Sequence, residues 1–147
     1  MSQAKTIKDL LSYRVHKLAG ALSRGAASRY RREFDVSLVE WRTVALLGNY
    51  APLSLKQLAA LAALDKSLIS RTVTALAERG LVERTVSQAD AREVALRLSP
   101  AGETLHAGLM RAARERDAAF RAALSAEEHA VLDGLLTRLE AEAWRQT

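Results

Sequence analysis

At Gly80 the apolar period of this chain changes, and that change limits the folds open to it. Before it, apolar residues recur every three to four positions. After it, Val94, Leu96 and Leu98 alternate strictly with Ala95 and Arg97, the pattern of a half-buried strand. Leu81–Val86 supplies a β-branched partner strand, and the polar run Ser87–Ala91 joins the two as a hairpin.

The segment just before the switch carries two helix starts close together. Ser54 with Gln57 matches a capping box, in which a serine hydroxyl and a residue three further on satisfy each other's free backbone N–H groups. The spacing predicts a short helix over Leu55–Leu61, a turn over Ala62–Leu64, and Asp65 as N-cap of a second helix over Lys66–Arg79. Gly80 then sits where a helix ends in the left-handed conformation. Two short helices joined by a tight turn form a helix-turn-helix, and the hairpin that follows is a wing.

Helices flank this unit. Ile7, Leu10, Leu11, Val15, Leu18, Leu22, Ala26, Tyr30 and Phe34 keep helical spacing and predict one helix over residues 6–34. Ser37 and Glu40 form another capping box, opening a helix that stops at Gly48-Asn49. Ser99-Pro100 puts a cap and a first-turn proline at the start of a helix reaching about Ala123. Ser125 with Glu128 opens the last helix, to about Trp144. The expected fold is therefore mainly α with a small β-hairpin wing. A winged helix-turn-helix over residues 37–99 is flanked by dimerisation helices over 1–36 and 100–147, all in one compact domain. The apolar stripe of the first long helix needs covering by another chain or by the distant C-terminal segment, and a homodimer is the expected assembly.

Composition closes off several classes. The chain has 147 residues and no cysteine, which excludes disulfides, thiolate metal sites and cysteine redox chemistry. No run approaches the roughly 20 apolar residues of a membrane span, and the N-terminus lacks a signal-peptide core, so the expected location is cytoplasmic. Three histidines, His16, His106 and His129, do not supply the converging ligands of a zinc site. Neither a phosphate-binding glycine loop nor a nucleophile elbow occurs, and no enzyme, cofactor or metal is expected. The net charge is +5, with eight Lys or Arg against two Asp or Glu in residues 1–34, and six against eight in residues 100–147. A basic balance suits a polyanionic partner, and the acidic C-terminal quarter suits protein contacts.

On the helix after the turn, Leu68, Ile69, Val73, Leu76 and Ala77 form the packing side, and Ser67, Ser70, Arg71 and Thr74 share the other. Such a face is either an ordinary solvent face or a major-groove reader, where arginine grips guanine O6 and N7 and hydroxyls reach bases or phosphates. The turn before it and the wing after it favour the reader, with double-stranded DNA as partner. Lys66 at the helix start and Gln88 in the wing add candidate DNA contacts.

The run from Leu53 to Gly102 resembles the MarR family of transcriptional regulators. The residues that carry the resemblance are Asp90-Ala91-Arg92 followed by Leu98-Ser99, the segment RGLVER, and the helix start Ser-Pro-Ala-Gly. The resemblance implies that Arg92 enters a minor groove and that Asp90 orients the wing through a salt bridge. It further implies a dimeric repressor on a pseudo-palindromic operator, released by a small ligand held between the dimerisation helices and the winged region. The matching walls would be Tyr13, His16 and Lys17 on one side and Trp41, Arg42 and Ala45 on the other, a composition suited to a small aromatic ligand. The alternatives are a DNA-binding regulator controlled by a partner protein, and a helical interaction module that does not bind DNA.

Overall fold

The computed structural model describes residues 6–87 and 90–147. The chain divides into two compact units, the first ending at Met110 and the second running from Arg111 to Thr147.

In the first unit the predicted 6–34 helix is interrupted. A 3-10 turn occupies Ile7–Asp9, Leu10 is extended, and α1 runs Leu11–Phe34. Local polar groups outweigh the apolar period here. Thr6 accepts from the Lys8 N–H, and the Asp9 carboxylate accepts from the Thr6 N–H at 2.9 Å, closing a capping box of its own. α1 ends at Asp35, which adopts φ 53° and ion-pairs with Arg31 at 3.1 Å.

α2 (Leu38–Tyr50) and α3 (Leu55–Ala62) start at the expected capping boxes, with Ser37–Glu40 and Ser54–Gln57 reciprocally bonded. α4 (Lys66–Glu78) follows Asp65. β1 (Val82–Val86) and β2 (Val94–Leu98) pair antiparallel, with Val82 opposite Leu98 and Val86 opposite Val94. β2 is also pinned from outside the hairpin, where Leu53 and Leu96 exchange both backbone hydrogen bonds, at 3.1 and 2.8 Å. The core gathers Val36, Val44, Leu47, Leu58, Ile69, Val73, Leu76, Val82, Leu96, Leu98 and Leu109. Two threonines join this interior, Thr43 and Thr72, each donating to the carbonyl four residues back at 2.8 Å.

The junction of α4, wing and α5 (Pro100–Arg121) explains why RGLVER and Ser-Pro-Ala-Gly occur as a pair. Gly80 takes φ 74°, a conformation that costs other residues energy but not glycine. The Ser99 hydroxyl donates to the Gly80 carbonyl at 2.6 Å and accepts from the Gly102 N–H at 3.0 Å, while the Ser99 N–H donates to Leu81 O at 3.0 Å. One serine thus caps α5 and ties its start to the end of α4. Gly102 lies directly against the Leu81 carbonyl, so a β-carbon there would collide with backbone that cannot step aside. This joint ties the base of the wing and the start of α5 to the end of α4.

The second unit contains the end of α5 and α6 (Ala126–Arg145), which opens at the Ser125–Glu128 capping box. Arg121 joins Asp117 at 2.9 Å and Asp133 at 3.3 Å. These carboxylates, Asp133 first, hold its guanidinium more firmly charged. No helix among the described residues is long and apolar enough to cross a membrane.

Candidate nucleic-acid interface

α4 buries Ile69, Thr72, Val73 and Leu76 and turns the opposite side outward. Lys66, Ser67, Arg71 and Thr74 are exposed, and Ser70 is half-buried beside them. The helix brings all five together in three turns. Two of them have fixed partners. Ser67 Oγ lies 2.7 Å from the Asp65 carboxylate, which is the first cause holding that carboxyl below its ordinary range. Thr74 Oγ1 accepts from the Arg84 guanidinium at 2.9 Å. Arg71 has no hydrogen-bond partner among the described residues, so its donors are open to a ligand.

Arg84 is the cation that sequence reasoning overlooked. In β1 it lies opposite Leu96, between Val82 and Val86, and so on the strand face that also carries buried Val82. A charged residue sharing a strand face with apolar Val82 and Val86 was the available signal. From there it reaches across to α4 and places a positive charge at Thr74. A second link overlooked in the sequence runs from Arg79, just past α4, to Glu40 in the first turn of α2, at 3.1 Å.

The wing tip differs from expectation. Asp90 and Arg92 lie in the turn that precedes β2, not in a strand, so strand alternation does not set their directions. Asp90 makes no ion pair among the described residues. Its carboxylate instead accepts from the backbone N–H of Arg92 at 2.9 Å, while the Asp90 carbonyl accepts from the Glu93 N–H at 3.0 Å. The carboxylate therefore orders the tip through the backbone and leaves the Arg92 side chain exposed. Ser87 and Glu93 close the loop base at 2.9 Å. Gln88, the remaining candidate in the wing, lies outside the described residues.

The six residues expected to line a ligand pocket do not converge within one chain. The Trp41 ring packs against Tyr30, centroids 5.1 Å apart, and not against Tyr13. At 1.5 Å per helical residue, Tyr30 is roughly 20–25 Å along α1 from Lys17 and Tyr13. Trp41 and Ala45 are half-buried and Arg42 is exposed on α2. Tyr13 and Lys17 line a separate groove of about 400 Å³ with Lys8, Arg14, Leu18 and Ala21, and exposed His16 is not part of it. The apolar period of α1 could not reveal which end of the helix α2 covers.

A model described as the MarR family matches residues 34–93, which hold the whole of α2 to the wing tip. A putative transcriptional regulatory protein for the hcr operon of Thauera aromatica is 36% identical over 125 residues, covering 80% of this chain and 75% of that protein. The fold matches a MarR/EmrR family transcriptional regulator from Acinetobacter sp. ADP1 with a TM-score of 0.88, at 25% identity, over 95% of this chain and 99% of that one. It also matches MepR of Staphylococcus aureus, solved as a DNA complex, with a TM-score of 0.82 at 19% identity, over 90% and 98% of the two chains. An interaction module without DNA binding and an enzyme are both set aside by these relatives. With its exposed α4 face and wing in place, this chain belongs to the MarR family of DNA-binding transcriptional regulators.

Proposed function

We propose that the protein acts as a homodimeric repressor, occupying a pseudo-palindromic operator and leaving it when a small aromatic ligand binds. The observation that carries this reading is a pair of uncovered apolar stripes. On α1, Leu11, Val15 and Leu18 are exposed, Leu18 by 61%. On α6, Val131, Leu132, Leu135, Leu136 and Leu139 are exposed at helical spacing. Scattered exposed apolar residues are ordinary, but contiguous stripes mark an interaction surface. A second copy is the natural partner, because two-fold symmetry lets one patch cover its own equivalent. Two α4 helices would then read half-sites about one helical turn, roughly 34–36 Å, apart.

The wing tests the DNA side of this reading. Arg92→Ala should make log K against log [salt] shallower by about 0.9 per lost ionic contact, nearly 2 for a dimer. Asp90→Ala separates two ideas by sign. Simple electrostatics predicts tighter binding once an acid beside DNA is removed. The hydrogen bond to the Arg92 N–H predicts weaker binding, because the tip loses its order. Tighter operator binding by Asp90→Ala at every salt concentration would show that Asp90 does not support the wing.

Ligand release rests on the α1 groove. Lys8, Arg14 and Lys17 line this groove together with Tyr13, a composition that suits an aromatic carboxylate. Leu18 belongs both to this groove and to the uncovered stripe, so a bound ligand would bear on the spacing of the two α4 helices. Calorimetric titration with benzoate should give heat that Lys17→Ala removes, together with a fall in operator affinity. No heat and no change in affinity would instead favour a regulator controlled by a partner protein.

A further inference from the structure

A serine or threonine hydroxyl can usually rotate to donate or to accept, so it discriminates weakly between bases. Two hydroxyls on α4 lack that freedom. Ser67 Oγ lies 2.7 Å from Asp65 Oδ2. A carboxylate has no proton to give, so Ser67 is the donor and only its lone pairs remain for DNA. Asp65 stays ionised at neutral pH, since its carboxyl is held below the usual range, first by this hydrogen bond. Thr74 Oγ1 lies 2.9 Å from Arg84 Nη2. A guanidinium has no acceptor, so Thr74 is the acceptor, and its own proton has no acceptor among the described residues.

We propose that Asp65 and Arg84 fix opposite hydrogen-bond polarities on the recognition face, presenting Ser67 to the major groove as an acceptor and Thr74 as a donor. The base facing Ser67 must then offer an amino group, adenine N6 or cytosine N4, and guanine and thymine are disfavoured there. The base facing Thr74 must offer an acceptor, a purine N7, guanine O6 or thymine O4, and cytosine is disfavoured. Arg71 lies between them and can only donate. Asp65 and Arg84 are positioning residues, acting through hydroxyls they hold and touching no base themselves. The inference rests on α4 being the major-groove helix.

The test is selection of bound duplexes from a random library with the full-length protein, followed by titration of the best duplex and its single-base variants. Asp65→Ala is the sharpest variant. The Asp65 side chain makes no capping hydrogen bond to the helix, and alanine leaves Ser67 without an acceptor, so the serine proton is released to the groove. At one position per half-site, preference should move from adenine or cytosine towards guanine or thymine, a relative change of about five- to tenfold. Arg84→Met frees a Thr74 lone pair, so cytosine should become tolerated at one different position, the same position at which Thr74→Val loses its preference. A purely structural role for these residues would weaken all sequences alike and leave the profile unaltered. Wild-type protein that enriches a sequence while both variants return the same profile overturns the polarity assignment alone. Wild-type protein that enriches no sequence overturns the major-groove reading and this inference with it.

Discussion

Leu18→Asp should yield a folded monomer that has lost its operator. In the single chain Leu18 is 61% exposed on α1, so aspartate there disturbs no internal packing and costs only its lower helix propensity, a few tenths of a kcal/mol. In a dimer that buries the stripe the cost is far larger. Each leucine taken out of water contributes roughly 1.5–3 kcal/mol, and a charge left unpaired in its place costs several kcal/mol more. Symmetry enters the substitution twice. Sedimentation should report the 16.1 kDa chain where the wild type reports twice that mass, with an unchanged helical signal. Operator affinity should fall by about 10²–10⁴, because the two half-sites are no longer held by one tethered pair of readers. A mutant that still sediments as a dimer would place the interface elsewhere.

The local signals in the sequence were strong where a polar side chain and a backbone end satisfy each other within three residues. The Ser37–Glu40, Ser54–Gln57 and Ser125–Glu128 boxes start helices where the spacing puts them, and Gly80 ends the α4 region with positive φ. The Thr6–Asp9 box also marks a helix start, but the turn it opens ends after three residues, a stop that the continuous apolar period of residues 7–34 conceals. Contacts between distant elements were less legible. Trp41 and Tyr13 are both aromatic residues on neighbouring helices, yet which turn of α1 meets α2 depends on the tight Asp35–Ser37 link, and that link puts Trp41 at Tyr30. The wing tip failed for a related reason. Asp90 and Arg92 have the spacing of strand neighbours, but they lie in a turn, where a short carboxylate finds a backbone N–H sooner than a guanidinium. For the candidate interface, the α4 face was readable from helical spacing, whereas Arg84 required the hairpin register that sets it opposite Leu96 and beside α4.

Arg71→Ala should produce the largest loss of sequence-specific binding of any single change on α4. Arg71 is exposed, one turn beyond Ser67 and three residues before Thr74, and no hydrogen bond within the described residues occupies its guanidinium. A bidentate contact to guanine is worth roughly 1–3 kcal/mol, or about 5- to 150-fold at each half-site. Arg71→Lys keeps the charge but not the planar fork, so lysine should restore little of the loss. The decisive measurement is a fluorescence-anisotropy titration at one fixed salt concentration, comparing wild type, Arg71→Ala and Arg71→Lys on the selected duplex and on a random duplex. Both variants should lose most of their affinity for the selected duplex, while binding to the random duplex should fall much less. Equal losses on the two duplexes, or no loss on either, would contradict the assignment of α4 as the helix that reads the operator.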